Sequence, residues 1–406
     1  MQRVLPTFLI WFSTLFVLYA CTTPAPQAPA EEKPAALAAP VEIPVPASAV
    51  GETPAPVAAP AETLPPALPV AKDAAPHIAL LLPIQSKDYG SAADAVQQGF
   101  MAAFNREKRS LPIRVYSDFE ENINVVAVYR QAIANGALAV VGPLTRSGVS
   151  ALAAEQNIPV PTLTLNIVEG LPAQQLFYFG MPVEAEARQA AQLASKQGLH
   201  QAIIITSRAQ WSKRLQAAFE EAWFATGGGI LREIEYNNTP GELADITELP
   251  GTAIFLAADA KTARLIRPYL PNRLPIYATS QIFSGNDNTL TNYDLNGIHF
   301  VDMPWLLQPD HPAVMTYPRA TPPLSIDRER LYALGIDAYR LTRLLLSKKP
   351  NSTLPLDGVT GDIHLRDHIY QRAAIPAVFQ EGRAQLTSAH AAPVIQMFPN
   401  QGNATP

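Results

Sequence analysis

From residue 77 onward, short apolar runs alternate with amphipathic windows. His77–Ile84 (HIALLLPI), Ile113–Ser117 and Ala137–Val141 are of strand length. They lack a polar face, as expected of strands covered on both sides. Between them, Val96, Phe100, Ala103 and Phe104 share one helix face behind a Ser91/Asp94 pair that reads as a capping box. Val125, Val126, Tyr129 and Ile133 share another, stopped by Asn135-Gly136. Ala137–Asn166 reads as strand, polar turn, helix (Val149, Leu152, Ala153), Pro-rich joint and second buried strand. That is a βαβ unit, with parallel strands joined by a right-handed crossover. Phe177–Pro182 adds a short strand and completes a doubly wound set.

The same grammar then repeats. A helix over Glu184–Gln197 precedes a strand at Gln201–Ser207, and the next helix aligns Trp211, Leu215, Ala218, Phe219 and Ala222 before Gly227-Gly228-Gly229 ends it. Ile230–Tyr236, Thr252–Ala258 and Pro275–Phe283 read as strands, with a short helix after Asp259 and an extended Gly297–Leu307. Asp327 is placed to cap a helix carrying Leu331, Leu334, Ala338, Leu341 and Leu345. Leu354–Arg372 and Ile375–Arg383 read as a closing antiparallel ribbon, with turns at Asp357-Gly358 and Glu381-Gly382. The expectation is an α/β chain with two hinged lobes, each a mostly parallel sheet flanked by helices. Lobe 1 takes about 77–180 plus 280–307, lobe 2 about 181–279 plus 308–385, and 386–406 is a flexible tail.

Before residue 77 the pattern is different. Arg3 precedes an apolar run, Phe8–Leu18, that ends abruptly at a small residue and Cys21. This is the layout of a secretory signal over 1–20 and is short for a membrane span. Leu18-Tyr19-Ala20-Cys21 resembles a bacterial lipobox, with Tyr19 bulkier than usual. The resemblance implies that Cys21 is lipidated, and Thr22 after it implies sorting to the outer membrane. Several acyl carbons on one residue hold a protein firmly, at roughly 0.8 kcal/mol per buried CH₂. Thr22–Pro76 is an Ala/Pro/Val tract with 14 prolines and one glycine, Gly51. It reads as a semi-stiff, disordered tether, which at ~3.1 Å per residue reaches at most about 170 Å.

The chain has 406 residues, 48% of them hydrophobic, and a formal net charge of −5. That leaves no basic footprint for nucleic acid. The single cysteine excludes an intramolecular disulfide framework and a cysteine-based metal cluster. No G-x-S-x-G elbow, Walker A sequence or H-E-x-x-H occurs, so the expectation is a protein without enzymatic activity, catalytic residue or cofactor. His364 and His368, with Asp362 and Asp367 near, lie in strand-like surroundings without a shared helix face, and read as surface histidines rather than metal ligands. Gly227–Gly229 reads as a helix terminator, and Lys348-Lys349 as cations closing a helix. Trp305 has two readings, an interface anchor or the filling of a core or lobe junction.

Ligands of doubly wound sheets sit beyond the carboxyl ends of the strands, which puts Thr145, Ser147 and Asn166 at one common edge. A helix start bearing hydroxyls can receive an anion. The plainer reading is that Thr145 and Ser147 cap the helix.

Several stretches resemble one family in order: HIALLLPI, VVGPL (Val140–Leu144), TLTLN (Thr162–Asn166) and YATSQIFSGNDN (Tyr277–Asn288). More distinctive are LNGIHFVDMPWLL (Leu295–Leu307), RLYALGIDAYRL (Arg330–Leu341) and GVTGDIHL (Gly358–Leu365). Over roughly three quarters of its length the chain is similar to the C-terminal domain of the LppC-type penicillin-binding protein activators. The resemblance implies a type I periplasmic-binding-protein-like fold. It also implies an outer-membrane lipoprotein, facing the periplasm, that binds and activates a class A penicillin-binding protein. Longer members carry a helical-repeat domain where this chain has the tether. The alternative is the solute-binding receptor of an ABC-type importer for an amino acid or other small polar ligand. Such receptors hold a ligand carboxylate near the positions of Thr145 and Ser147 and tend to place an acid on the strand returning to the first lobe. Here that turn is Thr279-Ser280-Gln281, with no acid; Asp259 or Glu169 could substitute. A cleft ligand therefore stays open, with Thr145, Ser147, Asn166, Thr279, Ser280 and Gln281 as its candidate residues.

Overall fold

In the computed structural model the apolar runs become strands of two separate sheets. It describes residues 74–108, 110–117, 124–347 and 354–387, all in one contact unit spanning Thr63–Pro406. The expected signal peptide, Cys21, nearly all of the tether, the Lys348-Lys349 helix end and the tail beyond 387 lie outside the described residues.

The chain begins β1 (His77–Leu81), α1 (Gly90–Phe104), β2 (Ile113–Tyr116), α2 (Val125–Ala134), β3 (Ala137–Val141), α3 (Arg146–Ala153), β4 (Thr162–Thr164) and β5 (Leu176–Phe179). It continues with α4 (Val183–Lys196), β6 (Gln201–Thr206), α5 (Gln210–Ala225), β7 (Gly229–Glu235), β8 (Thr252–Ala257), α6 (Ala260–Ile266), β9 (Ile276–Tyr277), α7 (Thr289–Asn292) and β10 (Ile298–Asp302). Next come α8 (Pro304–Leu307), α9 (Pro312–Met315) and α10 (Ile326–Leu345). It closes with β11 (Leu356–Gly358), β12 (Gly361–Arg366), β13 (Ile369–Ala373), β14 (Ile375–Gln380) and β15 (Arg383–Leu386).

Both sheets repeat one order. Parallel strands stand as β2-β1-β3-β4-β5 in the first and β7-β6-β8-β9-β10 in the second. This is the doubly wound arrangement, with a switch point between β1 and β3 and again between β6 and β8. At the first switch point Gly142 has φ +104, and a Cβ there would stand 2.0 Å from the Leu81 carbonyl oxygen, so only glycine fits. Beyond β5 the first sheet adds β13, β12 and β11; beyond β10 the second adds β14 and β15. β13 runs parallel to β5, whereas β14 runs antiparallel to β10, with Asp302 opposite Ile375.

This pairing corrects the expected lobe boundaries. Residues 280–302 belong to the second lobe, because β10 joins β9. Residues 304–373 belong to the first, because α10 packs on α1 and β13 joins β5. Only β14 and β15 return to the second lobe. The chain therefore crosses between lobes at 180–182, at Met303 and at Ala374. The expected closing ribbon is two structures divided at Ala374, since hydrophobic alternation predicts a strand but not the sheet that accepts it. The turn expected at Asp357-Gly358 falls instead at Val359-Thr360, while Glu381-Gly382 turns as expected, both at positive φ.

In lobe 1, α10 and α1 cover one face through Phe100, Tyr332, Ile336 and Tyr339, while α2 and α3 cover the other through Val125, Tyr129, Val149 and Leu152. The axes of α1 and α10 come close where Gly99 meets Gly335. A Cβ on Gly99 would lie 1.8 Å from the Tyr332 carbonyl oxygen, and one on Gly335 2.1 Å from that of Val96. In lobe 2, α4 and α5 pack Ala187, Ala191, Phe219 and Trp223 against the sheet. Two helix starts differ from expectation. α1 begins at Gly90, and Asp94 pairs with Arg328 at 3.0 Å instead of capping. α10 begins after Ser325, and Asp327 in its first turn pairs with Arg330 at 2.7 Å.

Candidate functional site

The parallel strands of both sheets end toward one another, where the chain crosses, and this defines the cleft. In lobe 1 the turn after β3 brings the first three candidate residues together. Thr145 is the N-cap of α3, its Oγ1 accepting from the Gly148 N–H at 3.1 Å, and Ser147 Oγ lies 3.1 Å from that same Oγ1. Asn166 donates from Nδ2 to the Leu144 carbonyl at 3.1 Å and accepts from the Ile167 N–H at 3.0 Å. The hydroxyl–amide cluster is thus largely engaged in holding its own turn, as a cap does. Across the cleft, Arg146 at the start of α3 lies 3.5 Å from Glu184 at the start of α4, and Glu184 also pairs with Arg214 at 2.8 Å. Partial burial pushes the Glu184 carboxyl up, but the two guanidinium groups outweigh it and hold it below its ordinary range.

Thr279, Ser280 and Gln281 lie elsewhere. Thr279 is 1% and Ser280 2% exposed, Gln281 is half-buried, and the stretch follows β9 at the crossing point rather than at a switch point. The Ser280 N–H donates to Glu186 Oε2 at 3.0 Å, and its carbonyl accepts from Arg330 Nη2 at 3.0 Å. Both partners belong to a buried ionic network. Arg330 on α10 pairs with Asp302 at 2.7 Å and donates to the Phe283 carbonyl at 2.9 Å. Arg372 on β13 pairs with Glu186 on α4 at 2.6 Å and donates to the Thr360 carbonyl at 3.2 Å. Burial alone would lower the Arg330 guanidinium; Asp302, Glu186 and Asp327 outweigh it and hold Arg330 above its ordinary value. Burial pushes the Asp302 carboxyl up even beside Arg330.

Each crossing is tied into this network. Glu186 follows the first, Asp302 precedes the second, and Arg372 precedes the third. Gln189 then clamps Ala374 in both directions, donating to its carbonyl at 2.7 Å and accepting from its N–H at 3.1 Å. Opposed charges and backbone bonds thus fix the junction between lobes from both sides.

The stretches most distinctive in the sequence pack on one another here. Trp305, fully buried, fills the core beside this junction: its indole N–H donates to Glu329 Oε2 at 2.6 Å and its backbone N–H to the Val359 carbonyl at 2.9 Å. The Arg319 guanidinium stacks 3.8 Å from its ring centroid. Asp337, inside α10, accepts from the Val359 N–H at 3.2 Å and from the Thr360 N–H and hydroxyl at 2.8 Å each. Of the two readings of Trp305, the core reading holds.

Other candidates resolve plainly. Asp259 caps α6, accepting from the Thr262 N–H at 2.8 Å. His364 is exposed on β12, and His368 stacks on Phe177 at 4.8 Å. Among the described residues no group of three or more His, Cys, Asp or Glu is placed to hold a metal ion. Sequence reasoning missed Glu186, Asp302, Arg330 and Arg372. The available signal was a charge inside an apolar register, as at Asp302 in FVDMPW and Arg330 in the α10 stripe.

Two doubly wound lobes joined by three crossings define the chain as a periplasmic-binding-protein-like α/β protein. It belongs to the family described as LppC putative lipoprotein, whose model matches residues 49–250 and 249–372. It is 26% identical over 344 residues to a Photobacterium profundum protein named penicillin-binding protein activator LpoA, covering 75% of this chain and 56% of that one. The chain spans about half the length of such curated relatives. One similar structure is described as a putative branched-chain amino acid ABC transporter from Chromobacterium violaceum ATCC 12472. It is 36% identical, with a TM-score of 0.64, covering 75% of this chain and all of that one. Another is the LpoA (YraM) C-domain from Haemophilus influenzae, described as a regulator of PBP1A. It shares the fold at a TM-score of 0.65 and 24% identity, covering 77% of this chain and 99% of that one.

Proposed function

We propose that this protein is an outer-membrane lipoprotein, anchored through Cys21, that binds and activates a class A penicillin-binding protein from the periplasmic side. Its work is contact rather than chemistry. The observation that carries the reading is membership of the LppC family, whose curated relatives here are named penicillin-binding protein activators. The junction geometry supports it: Thr145 caps α3, Asn166 holds the turn after β3 and the Ser280 backbone is bound into the buried network, so these groups serve the scaffold. The test is glycan polymerisation by a purified class A synthase with and without the full chain. A rise in rate that saturates with the chain is expected; an unchanged rate, with no complex formed, overturns the reading.

The second reading is a solute-binding receptor, favoured by the 36% identical structure and its description. It predicts a thermal shift on adding branched-chain amino acids that weakens in Ser147→Ala. A flat response across that set removes it.

A further inference from the structure

A cavity on the α4 side of the second sheet lies where the described part of the chain ends. It opens between the second half of α4 and the strands β9, β10 and β14, and leaves about 310 Å³ free of atoms, its mouth included. Leu193 and Gln197 line it from α4, Tyr277, Val301 and Pro376 from the sheet, and Thr387 from its rim. The lining is mainly apolar and holds no Asp, Glu, Lys or Arg. His299, also in the wall, is pushed down by burial and is neutral at pH 7. The Tyr277 hydroxyl donates to Gln197 Oε1 at 2.6 Å, and the Thr387 hydroxyl to the Pro376 carbonyl at 3.4 Å. These polar groups bond within the wall, which favours an apolar occupant over a polar solute.

Two observations name the occupant. Thr387 is the last described residue, and its N–H also reaches the Pro376 carbonyl, at 3.3 Å, so the chain is still held on β14 as it passes the rim. The residues that follow, 388–406, contain no Asp, Glu, Lys or Arg, in a chain that is 16% charged, and include Val394-Ile395-Gln396-Met397-Phe398. So apolar and uncharged a stretch lacks the composition of a solvated tail. It matches the cavity wall instead. Spacing selects the side chains. Ala190 and Gln197 both line the cavity, which makes it about 10 Å long at 1.5 Å per helical residue. Alternate side chains of an extended segment share a face and stand about 6–7 Å apart. Ile395 and Met397 are the one such pair of large aliphatic side chains in 388–406. The eight steps from Thr387 to Ile395 span up to about 26 Å, enough to turn back along α4, and a loop this short closes at low entropic cost.

We propose that residues 394–398 of this chain fold back from Thr387 and dock in the cavity, with Ile395 and Met397 set against Leu193, Val301 and Pro376. The segment covers the wall that α4 leaves open beside β14. The inference is independent of the proposed function, because the contact lies within one chain.

The test is hydrogen exchange on the full chain, comparing the natural protein with Ile395→Ser, Met397→Ser and Gln401→Ser. The expected result is exchange about tenfold faster in Ile395→Ser and Met397→Ser, confined to 190–197 and 376–387. Gln401→Ser, outside the docked segment, should match the natural protein, as should the first lobe in every variant. The protection should also be the same at high and low protein concentration. Equal exchange in all four proteins overturns the proposal. So does protection that fades on dilution, which would assign the cover to a second copy of the chain, or an equal loss in Gln401→Ser.

Discussion

Replacing Arg330 with methionine tests the buried network directly. Methionine keeps an unbranched apolar stem but lacks the guanidinium, so Asp302 loses its 2.7 Å partner and retains only the Met303 N–H at 2.8 Å. The Ser280 and Phe283 carbonyls lose donors at 3.0 and 2.9 Å. Removing one partner of a buried pair costs about 3–5 kcal/mol; the Phe283 carbonyl, stripped of its donor, pushes toward the upper end, while the Ser280 carbonyl keeps the Phe283 N–H at 2.9 Å. At roughly 2–3 °C per kcal/mol for a chain of this size, the melting temperature falls by about 10 °C. The loss depends on pH. Burial already raises the Asp302 carboxyl, and without Arg330 it rises further, so the folded variant takes up a proton that the unfolded chain does not. The penalty is full above that raised value and fades as pH falls through it. Calorimetry at pH 7 and pH 5 should therefore show the gap between Arg330→Met and the natural protein narrowing. Adding Asp302→Asn should recover part of the loss at pH 7. A cost below about 1 kcal/mol, the range of an exposed pair, would refute the reasoning, as would a gap that widens on acidification.

Gly335→Ala should destabilise lobe 1 by about 1–3 kcal/mol, because its Cβ meets the Val96 carbonyl oxygen and not a side chain that can turn away. Hydrogen exchange would locate the loss in α1 and α10; unchanged protection there would count against the close crossing. Tyrosine ionisation followed by absorbance should be biphasic. Burial pushes Tyr129, Tyr277 and Tyr370 up to about 12 from 10. Their phenols therefore favour the folded state below pH 10, and that stability is lost as pH rises toward 12; a single sharp transition near 10 would contradict it.

The alternation of apolar runs with helical windows made both doubly wound sets legible, including the strand ends near which Thr145, Ser147 and Asn166 gather. What it could not show is pairing between distant segments. β13 and β14 are adjacent and similar in pattern, yet Tyr370 pairs beside Phe179 and Ile375 beside Asp302. The choice is made by Arg372 and Gln189, which act over more than a hundred and eighty residues of separation. Thr279-Ser280-Gln281 reads as part of a strand over Pro275–Phe283, whereas β9 ends at Tyr277 and Ser280–Ile282 forms a 3-10 turn. Its burial depends on Glu186 and Arg330, neither of which is near it in sequence.

The passage of the chain through Ala374 also bears on the order in which the molecule can form. When the chain is delivered amino-terminus first, β5 remains an unpaired sheet edge until residue 369 arrives, and β10 remains one until residue 375 follows. Neither lobe can be completed as a contiguous piece, and both close within the same last stretch of about a dozen residues. Open edges of that kind invite mispairing for as long as they wait. A ribosome-bound or half-delivered chain is therefore the vulnerable species, and a truncation just before β13 would damage both halves of the protein at once.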